Sequence, residues 1–520
     1  MNSLFSTAAL KWLSLVGVIW LQTINGTNAD FPAYSSQLKY LLSISQVQLN
    51  NLAVASDAGK LLGWLSGVAA HFFPLWLVLF IGAALGLVGY GFQYLFIVRE
   101  VSLAYWQVLI LNLLAGNSIC WINTVCYLAT MQNFPADSRI ALSLSTSYQG
   151  LSAKMYATVV DAFIPARYVK GSYLLLNSVA PIAVSTVFAP FLRRFEVGDR
   201  PDVTNCGFVA LISVAFVTGI YAVVGSVDAH IPPMALAIGL LILMVAPLTL
   251  PIGVSIREVL EQKWKSRDMR VFDYSVESKS GDGLDKVVAE GSGHGDEEAG
   301  RFENVRMEEN EELEWAVKEL LKSVNFWLYF MVYLMGATLG LVFLNNLGQI
   351  AESRGHSGTS TLVSLSSSFG FFGRLMPSIV DYYSSKWKLN LPRTISMGML
   401  MVPMVAAFFL LAISSTSITL YVSTAVLGVC TGAISSIAVS ATPELFGTKN
   451  FGLNHNIVVA NIPLGSFFFG YAASVLYDRE GGGTGSCVGM ACFQRTFISW
   501  GCVSSVGVLL SIWLFIRTRK

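Results

Sequence analysis

The stretch SVESKSGDGLDKVVAEGSGHGDEEAG, residues 275–300, is rich in Gly, Ser and acid and has almost no apolar residues. Such a composition cannot bury enough surface to offset the entropy of ordering a chain. It lies inside a segment from Arg257 to Lys322 that carries 29 charged side chains. The whole 520-residue chain has only 33 Lys+Arg and 32 Asp+Glu, so nearly half of its charge sits in this one place. Charged residues are 12% of the chain, against about 25% in a typical soluble protein, and mean hydropathy is +0.59. Outside the segment the chain is too apolar to dissolve as an ordinary domain. A cytosolic enzyme, a nucleic-acid binder with a basic face and a disordered scaffold are excluded. What remains is an all-α polytopic membrane protein.

Working outward from the charged segment, runs of about 20 mostly apolar residues mark candidate membrane spans. Eight precede it, at 11–34, 48–71, 75–98, 105–131, 139–163, 171–192, 205–226 and 232–253. Six follow, at 325–349, 358–381, 393–414, 418–441, 451–477 and 494–516. Pro74, Pro135, Pro165 and the Pro232–Pro233 pair fall at the divisions. The first run passes into further helical sequence with no small-x-small cleavage site, so it reads as a span and not as a removable signal. With the N-terminus inside, inner loops collect about twelve Lys and Arg, including Lys11, Arg139, Arg193, Arg194 and Lys449, against about seven outside, as the positive-inside rule requires. Arg193, Arg194 and Arg200 share a side with Arg257–Arg270 only if an even number of spans separates them, and 205–226 with 232–253 supplies two. Both termini and the insert are then cytoplasmic.

The expected organisation is a six-helix half over 1–200, two additional helices over 201–256, a disordered cytoplasmic linker over 257–322, and a second six-helix half over 323–520. The linker reads as a flexible tether; its alternative is a regulatory segment phosphorylated at Ser275, Ser278 or Ser280. Its end, ENEELEWAVKELLKS, has helical spacing.

Two six-helix blocks joined by a charged cytoplasmic loop resemble the major facilitator superfamily. In that superfamily the loop between the second and third spans of each half resembles G-x-L-x-D-R-x-G-R-R. Gly373, Arg374 and Asp381, with Arg393 beyond, are similar to a stretched version. In the first half the counterpart, Gly67 to Pro74, has lost its acid and bases. At finer grain the chain resembles the plant nodulin-like, nuclear-fusion-defective-four-like transporters. The matching stretches are Tyr34-Ser-Ser-Gln-Leu-Lys39, Gln48-Leu-Asn-Asn-Leu52, Asp57-Ala-Gly59 with Gly63 and Gly67, Pro392-Arg393, Glu444-Leu-Phe-Gly447, Phe451-Gly-Leu-Asn454, Pro463-Leu-Gly465, Tyr477-Asp478 and Cys487-x4-Cys492-Phe493. The resemblance runs from first span to last and implies a major facilitator fold and a transporter role. The family is more distantly similar to monocarboxylate and oxalate/formate carriers, and the resemblance itself names no substrate.

Ionisable and amide groups inside spans are costly and mark pathways, relays or buried pairs. Asp57 and Lys60 share a helical face three residues apart; they are either a self-neutralising pair or a proton carrier with its tuning cation. Lys154 and Asp161, seven apart on one face, leave Lys154 to find a partner acid on a neighbouring helix or to anchor an anionic substrate. Gln149 lies above Lys154. Gln22, Asn25 and Asn28 form a polar stripe on the first span, and Asn117, Asn345, Asn346 and Asn461 extend the amide set to other cavity-lining slots. Asp30 reads as an interfacial acid near the outer mouth, and His455 as a packed interfacial residue. Arg374 and Asp381, with Arg393, read as a gating pair and not as substrate ligands. Glycines at 82, 86, 89 and 91, and at 428 and 432, make small-residue faces for close packing. Cys487 and Cys492 lie in a Gly-rich outer loop where an oxidising compartment allows a disulfide.

These features point to a secondary active transporter of a small organic solute, with a monocarboxylate-like anion and proton coupling as the leading form, working by alternating access. The alternative is a receptor-like or scaffold membrane protein of the same fold. The chain lacks a G-x-x-x-x-G-K-[ST] loop, HExxH, a Ser/His constellation, paired intramembrane aspartates and zinc-spaced Cys/His, so no enzyme activity, cofactor, metal or nucleic acid is expected. The expected partners are a small-molecule solute, protons and the lipid bilayer. The expected state is a monomer in the plasma membrane or an endomembrane such as the vacuole.

Overall fold

The computed structural model describes residues 6–165, 169–195, 201–227, 231–272, 317–355, 359–387, 391–481 and 487–519. Ser275, Ser278 and Ser280, with most of the charged segment, lie outside the described residues. Every regular element among the described residues is helical.

The first span is α1 (Thr7–Ile24), a short 3-10 turn (Thr27–Asp30) and α2 (Phe31–Leu42). The expected continuous run 11–34 therefore breaks at Asn25–Gly26. Backbone groups freed inside a membrane must find partners in the protein, and here neighbours supply them. Gly26 N donates to Ser152 Oγ at 3.0 Å, and the Tyr156 hydroxyl donates to the Ile24 carbonyl at 2.8 Å. Asn25 Nδ2 donates to the Ile119 carbonyl at 3.1 Å and to Asn123 Oδ1 at 2.9 Å.

The second span starts at a capping box in which Ser45 and Gln48 satisfy each other's backbone N–H. It is α3 (Gln46–Gly59), a 3-10 turn (Lys60–Leu62) and α4 (Trp64–Phe72). Then follow α5 (Leu75–Ile97), α6 (Tyr105–Asn133), α7 (Ser138–Phe163) and α8 (Val169–Phe188). The two additional spans are α9 (Pro201–Val227) and the pair α10 (Pro233–Val245) with α11 (Thr249–Phe272). Here α11 runs well past the expected end at 253 into the basic start of the charged segment. Its extension suits a helix, with Arg257 Nε and Glu261 Oε1 paired at i,i+4 spacing and 2.8 Å.

The second half comprises α12 (Val324–Tyr333), a π-helical turn (Leu334–Thr338), α13 (Leu339–Asn345), α14 (Leu347–Ser353), α15 (Thr359–Lys386), α16 (Arg393–Ile413), α17 (Ser417–Phe446), α18 (Phe451–Val459), α19 (Asn461–Glu480) and α20 (Ala491–Thr518). Each of the fourteen expected spans thus falls on a helix or a broken helix.

Among the described residues, eleven helices are long and apolar enough to cross a membrane, as befits an integral multi-pass membrane protein. The other three expected spans, 48–71, 139–163 and 358–381, fall on helices over 46–72, 138–163 and 359–386. The first of these is broken, and α7 and α15 bury serine and threonine, as at Ser143, Ser145, Thr146, Ser366 and Ser368. These helices pack on protein over much of their surface and need less lipid-facing apolarity. By contrast, α9 and α10 present exposed Val217, Ile220, Val224, Ile238, Leu241 and Ile242, a face suited to lipid.

Within the first half, α5 packs on α6 and α8, α3 on α6, and α1 on α7. The second half repeats the pattern, with α15 on α17 and α16 on α17 and α20. A close approach recurs in both. Gly116 faces the Ser56 carbonyl, and Gly373 the Val429 carbonyl, at distances where any Cβ would overlap backbone. The halves meet where α7 packs on α15 and α17, where α4 packs on α18, and where α3 packs on α19. The additional helices lie over the first of these seams: α9 touches both α7 and α15, and α10 packs on α7 and α9. Gly82, Gly86 and Gly89 face α6, while Gly428 and Gly432 face α15.

Candidate functional site

Two chambers lie between the halves. The central one, 220 Å³, is lined by Asn28, Lys60, Asn123, Tyr127, Gln149, Tyr333, Arg374, His455 and Asn456 among others. The second, 160 Å³, includes Asn28, Tyr34, Asn50, Asp57, Tyr90, Asn112 and Asn345 in its wall. It lies toward the end of the bundle opposite the N-terminus, and we call it the far chamber. Both chambers share Asn28, Ala29, Leu341, Leu344, Ser366 and Ser367, which form the partition.

The Asp57–Lys60 pair spans that partition. The last turn of α3 and the 3-10 turn after it place both side chains on one side. Lys60 Nζ donates to Asp57 Oδ1 at 2.6 Å, both groups being buried. The other carboxylate oxygen accepts from Ser466 Oγ of α19 at 2.7 Å, across the boundary between halves. Lys60 faces the central chamber and Asp57 the far one. The neutralising pair is present, and it is also a contact between halves that sequence spacing did not indicate.

Arg374 takes a different place from the one expected. It makes no pair with Asp381, whose partner is Arg393, both largely buried. Arg374 sits instead in the wall of the central chamber, where Nη1 donates to Gln149 Oε1 of α7 at 2.8 Å. The spacing of seven residues on α15 is two turns, close to the limit of side-chain reach, whereas the loop after α15 brings Arg393 beside Asp381. The Asp381–Arg393 pair and the chamber cation Arg374 are therefore two separate features.

Lys154 is also away from the chambers' described walls. Its Nζ donates to the Gly225 carbonyl of α9 at 2.8 Å, so it ties an additional helix to the first half. Asp161, further along α7, is exposed. Of the first-span stripe, Asn28 lines both chambers and Asn25 holds the helix break. Gln22 is fully buried with neither amide atom partnered among the described residues. The three amides therefore do not share one surface. Asn117 Nδ2 donates to the Gly59 carbonyl at 2.9 Å and its Oδ1 accepts from Trp121 Nε1 at 2.7 Å. Asn345 lines the far chamber, Asn346 bonds back to the Val342 carbonyl at 2.8 Å, and Asn461 Oδ1 accepts from Thr338 Oγ1 at 2.6 Å. Asp30 is buried rather than interfacial. His455 lines the central chamber, its ring stacked on Phe451 and its Nδ1 3.1 Å from Thr442 Oγ1. Cys487 and Cys492 are joined by a disulfide.

Toward the N-terminal end the halves are held together below the central chamber. Gly67 of α4 lies against Gly452 of α18, where an added Cβ would sit 2.6 Å from backbone. Beside it Asn456 Nδ2 donates to Thr124 Oγ1 at 2.8 Å. Thr146 and Ser436 hydroxyls are 3.2 Å apart. Arg139 Nη2 and Glu444 Oε2 pair at 2.8 Å across the halves. The Gly67–Pro74 stretch, which has no acid, thus meets the second half through a tight glycine contact, and the ion pair across the halves at this end is Arg139–Glu444.

The described lining of the central chamber carries two basic side chains of the Lys and Arg type. Lys60 comes from the first half and Arg374 from the second, and no Asp or Glu is among its described lining residues. Tyr127, Tyr333, Gln149, Asn123 and Asn456 add hydrogen-bonding groups. Tyr127 and Tyr333 carried no sequence signal, since a lone tyrosine in an apolar helix looks like core. Among the described residues no group of His, Cys, Asp and Glu could hold a metal ion.

The chain matches known families over both halves. The family model described as Nodulin-like matches residues 11–256, and the one described as NFD4, C-terminal domain, matches 310–520. Protein NUCLEAR FUSION DEFECTIVE 4 of Arabidopsis thaliana is 39% identical over 538 residues, covering 98% of this chain and 89% of that protein. Two solved structures share the fold at low identity. The major facilitator superfamily proton:xylose symporter XylE, bound to 6-bromo-6-deoxy-D-glucose, aligns with a TM-score of 0.57 at 11% identity, over 98% of this chain and 97% of its own. Tetrameric PepTSo2 aligns with a TM-score of 0.52 at 12% identity, over 99% of both chains. The fold is the major facilitator fold with two helices added between its halves.

Proposed function

The chain belongs to the nodulin-like family, and on that premise we propose that it carries a small organic anion across a membrane by alternating access. The observation that supports this most is the central chamber, where Lys60 and Arg374 approach from opposite halves and no described carboxylate lines the wall. An anion there would be held by charge-assisted hydrogen bonds from both halves at once. Arg374 is the better ligand, because its planar fork matches a carboxylate and its only hydrogen bond among the described residues is to the neutral Gln149. Lys60 is shared: drawing it toward a bound anion loosens its hold on Asp57, and with it the Asp57–Ser466 contact between halves. Binding in the centre would in this way weaken a contact at the partition, which is what rocking of one half on the other requires.

The chamber of 220 Å³ suits a solute of a few heavy atoms, of monocarboxylate size. With the termini and the insert placed in the cytoplasm, as the distribution of Lys and Arg favours, the far chamber faces the outside or the lumen. A pH gradient is then available to drive an anion inward together with a proton.

A ligand-stabilisation series on the purified full chain tests the reading. Lactate, pyruvate and acetate raise the melting temperature in a concentration-dependent way, as mass action demands of a ligand that binds only the folded state. Glycerol and acetamide do not, and Arg374→Gln abolishes the carboxylate effect. Stabilisation by neutral solutes alone, or an unchanged carboxylate effect in the variant, would contradict it.

A further inference from the structure

We infer that Asp30, at the break in the first span, takes up and releases the proton that accompanies the transported anion. The inference rests on the transporter reading above and adds to it the site of coupling.

Asp30 closes the 3-10 turn that follows the break at Asn25–Gly26. It is only 4% exposed, and its Oδ2 has no hydrogen-bond partner among the described residues. Tyrosines from four elements lie within electrostatic range of it: Tyr34 of α2, Tyr90 of α5, Tyr156 of α7 and Tyr173 of α8, the last also in range of Asp161. Two of their hydroxyls are committed elsewhere. Tyr90 donates to Thr27 Oγ1 at 2.8 Å, and Tyr156 donates to the Ile24 carbonyl at 2.8 Å. Asn177 Nδ2 donates to the Thr27 carbonyl at 3.3 Å, which leaves its Oδ1 buried and unpartnered as well. Beside the turn there are thus two buried acceptor oxygens, and among the described residues no Lys, Arg or His pairs with Asp30.

An acceptor without a donor calls for a cation. A metal ion would need a shell of several oxygens, and the surrounding rings do not offer one. A proton needs a single carboxylate oxygen. The other carboxylate deep in the partition, Asp57, already has Lys60 on one oxygen and Ser466 on the other, so its charge is satisfied where that of Asp30 is not.

The location also joins proton to substrate. Tyr34, one helical turn beyond Asp30, and Tyr90, bonded to Thr27 of the same turn, line the far chamber, so Asp30 lies close to its wall. Asn28, in the same short turn, lines both chambers. A proton from water in the far chamber adds to the carboxylate, giving a neutral acid that this packing accommodates. Its departure leaves a bare charge that must move toward water or a donor, and the turn carrying Asn28 moves with it. Proton occupancy of Asp30 is in this way read out in the wall of the substrate chamber.

Infrared pH-difference spectra of the full chain in lipid nanodiscs decide the protonation site without any substrate. The wild type shows a carboxylic-acid C=O band that disappears on raising the pH. Asp30→Asn removes that band, Asp57→Asn keeps it, and Asp30→Glu restores a band at a shifted position, which shows that the site still folds. A band unchanged in Asp30→Asn, or lost only in Asp57→Asn, overturns the inference. A second arm uses labelled lactate in proteoliposomes. Asp30→Asn loses pH-driven accumulation, by roughly the tenfold that one pH unit supplies, and retains lactate–lactate exchange. Undiminished pH-driven accumulation in that variant overturns the inference. If wild-type protein moves no carboxylate, the transporter reading fails and the infrared result still decides the role of Asp30.

Discussion

Arg374 is the residue on which the reading of the site turns. Its position in the central chamber was not legible from sequence, because an arginine seven residues before an aspartate on one helix suggests a pair along that helix. The actual partners are set by tertiary structure: Gln149 from the other half for Arg374, and Arg393 from the next helix for Asp381. The Asp57–Lys60 pair was legible, since i,i+3 contact is a property of the helix alone; its link to Ser466 was not, as a serine in an apolar helix carries no signal. Two predictions belong here. Arg374→Lys keeps the charge but loses the planar fork, so it retains part of the carboxylate-induced rise in melting temperature, while Arg374→Gln costs about 2–5 kcal/mol of anion binding, read by titration calorimetry with lactate. Ser466→Ala removes a hydrogen bond to a charged group, about 1.5–3 kcal/mol, and loosens the partition. A cysteine placed at Asn345 then reacts faster with a membrane-impermeant thiol reagent than it does with Ser466 intact, and an equal rate would remove the latch role from Ser466.

Helices show the same division between local and tertiary information. The apolar runs marked the spans, and Pro74 and the Pro232–Pro233 pair stand where helices begin. The breaks were less visible. The first span breaks at Asn25–Gly26, where Ser152 and Tyr156 of α7 satisfy the freed backbone groups, and the second turns at Lys60–Leu62, where Gly59 packs on the α6 backbone. The polar faces of α7 and α15 lower their apolarity because they pack against each other and against the chambers. At this scale the contact of Gly67 with Gly452 is the feature most open to test. Gly67→Leu cannot be accommodated while α4 and α18 touch, so it holds the N-terminal end of the bundle open. A cysteine at Arg139 becomes more reactive in that background, whereas unchanged reactivity would show that the glycines are only packing. Lys154→Met removes the tie to Gly225 and lowers the melting temperature, at a cost of about 1.5–3 kcal/mol, without altering the carboxylate response. A lost response would return Lys154 to the binding site.

For the whole molecule, the distribution of charge carried most of the architecture. A chain with nearly half of its charged residues in one segment, and apolar runs elsewhere, divides into eight spans and six, and the even count places the two additional helices before the insert. Their role was not legible. They lie over the seam between α7 and α15, touching both halves, so they move with one half or bend when the halves rock. The central claim is that this assembly moves an organic anion through a chamber in which each half supplies a cation. The most direct measurement is uptake of labelled lactate and labelled glucose by proteoliposomes containing the full chain, at two external pH values, with wild-type protein and with Arg374→Gln. The account predicts saturable lactate uptake that increases as external pH falls and is lost in Arg374→Gln, with no accumulation of glucose. Accumulation of glucose independent of Arg374, with no carboxylate flux at either pH, would contradict it.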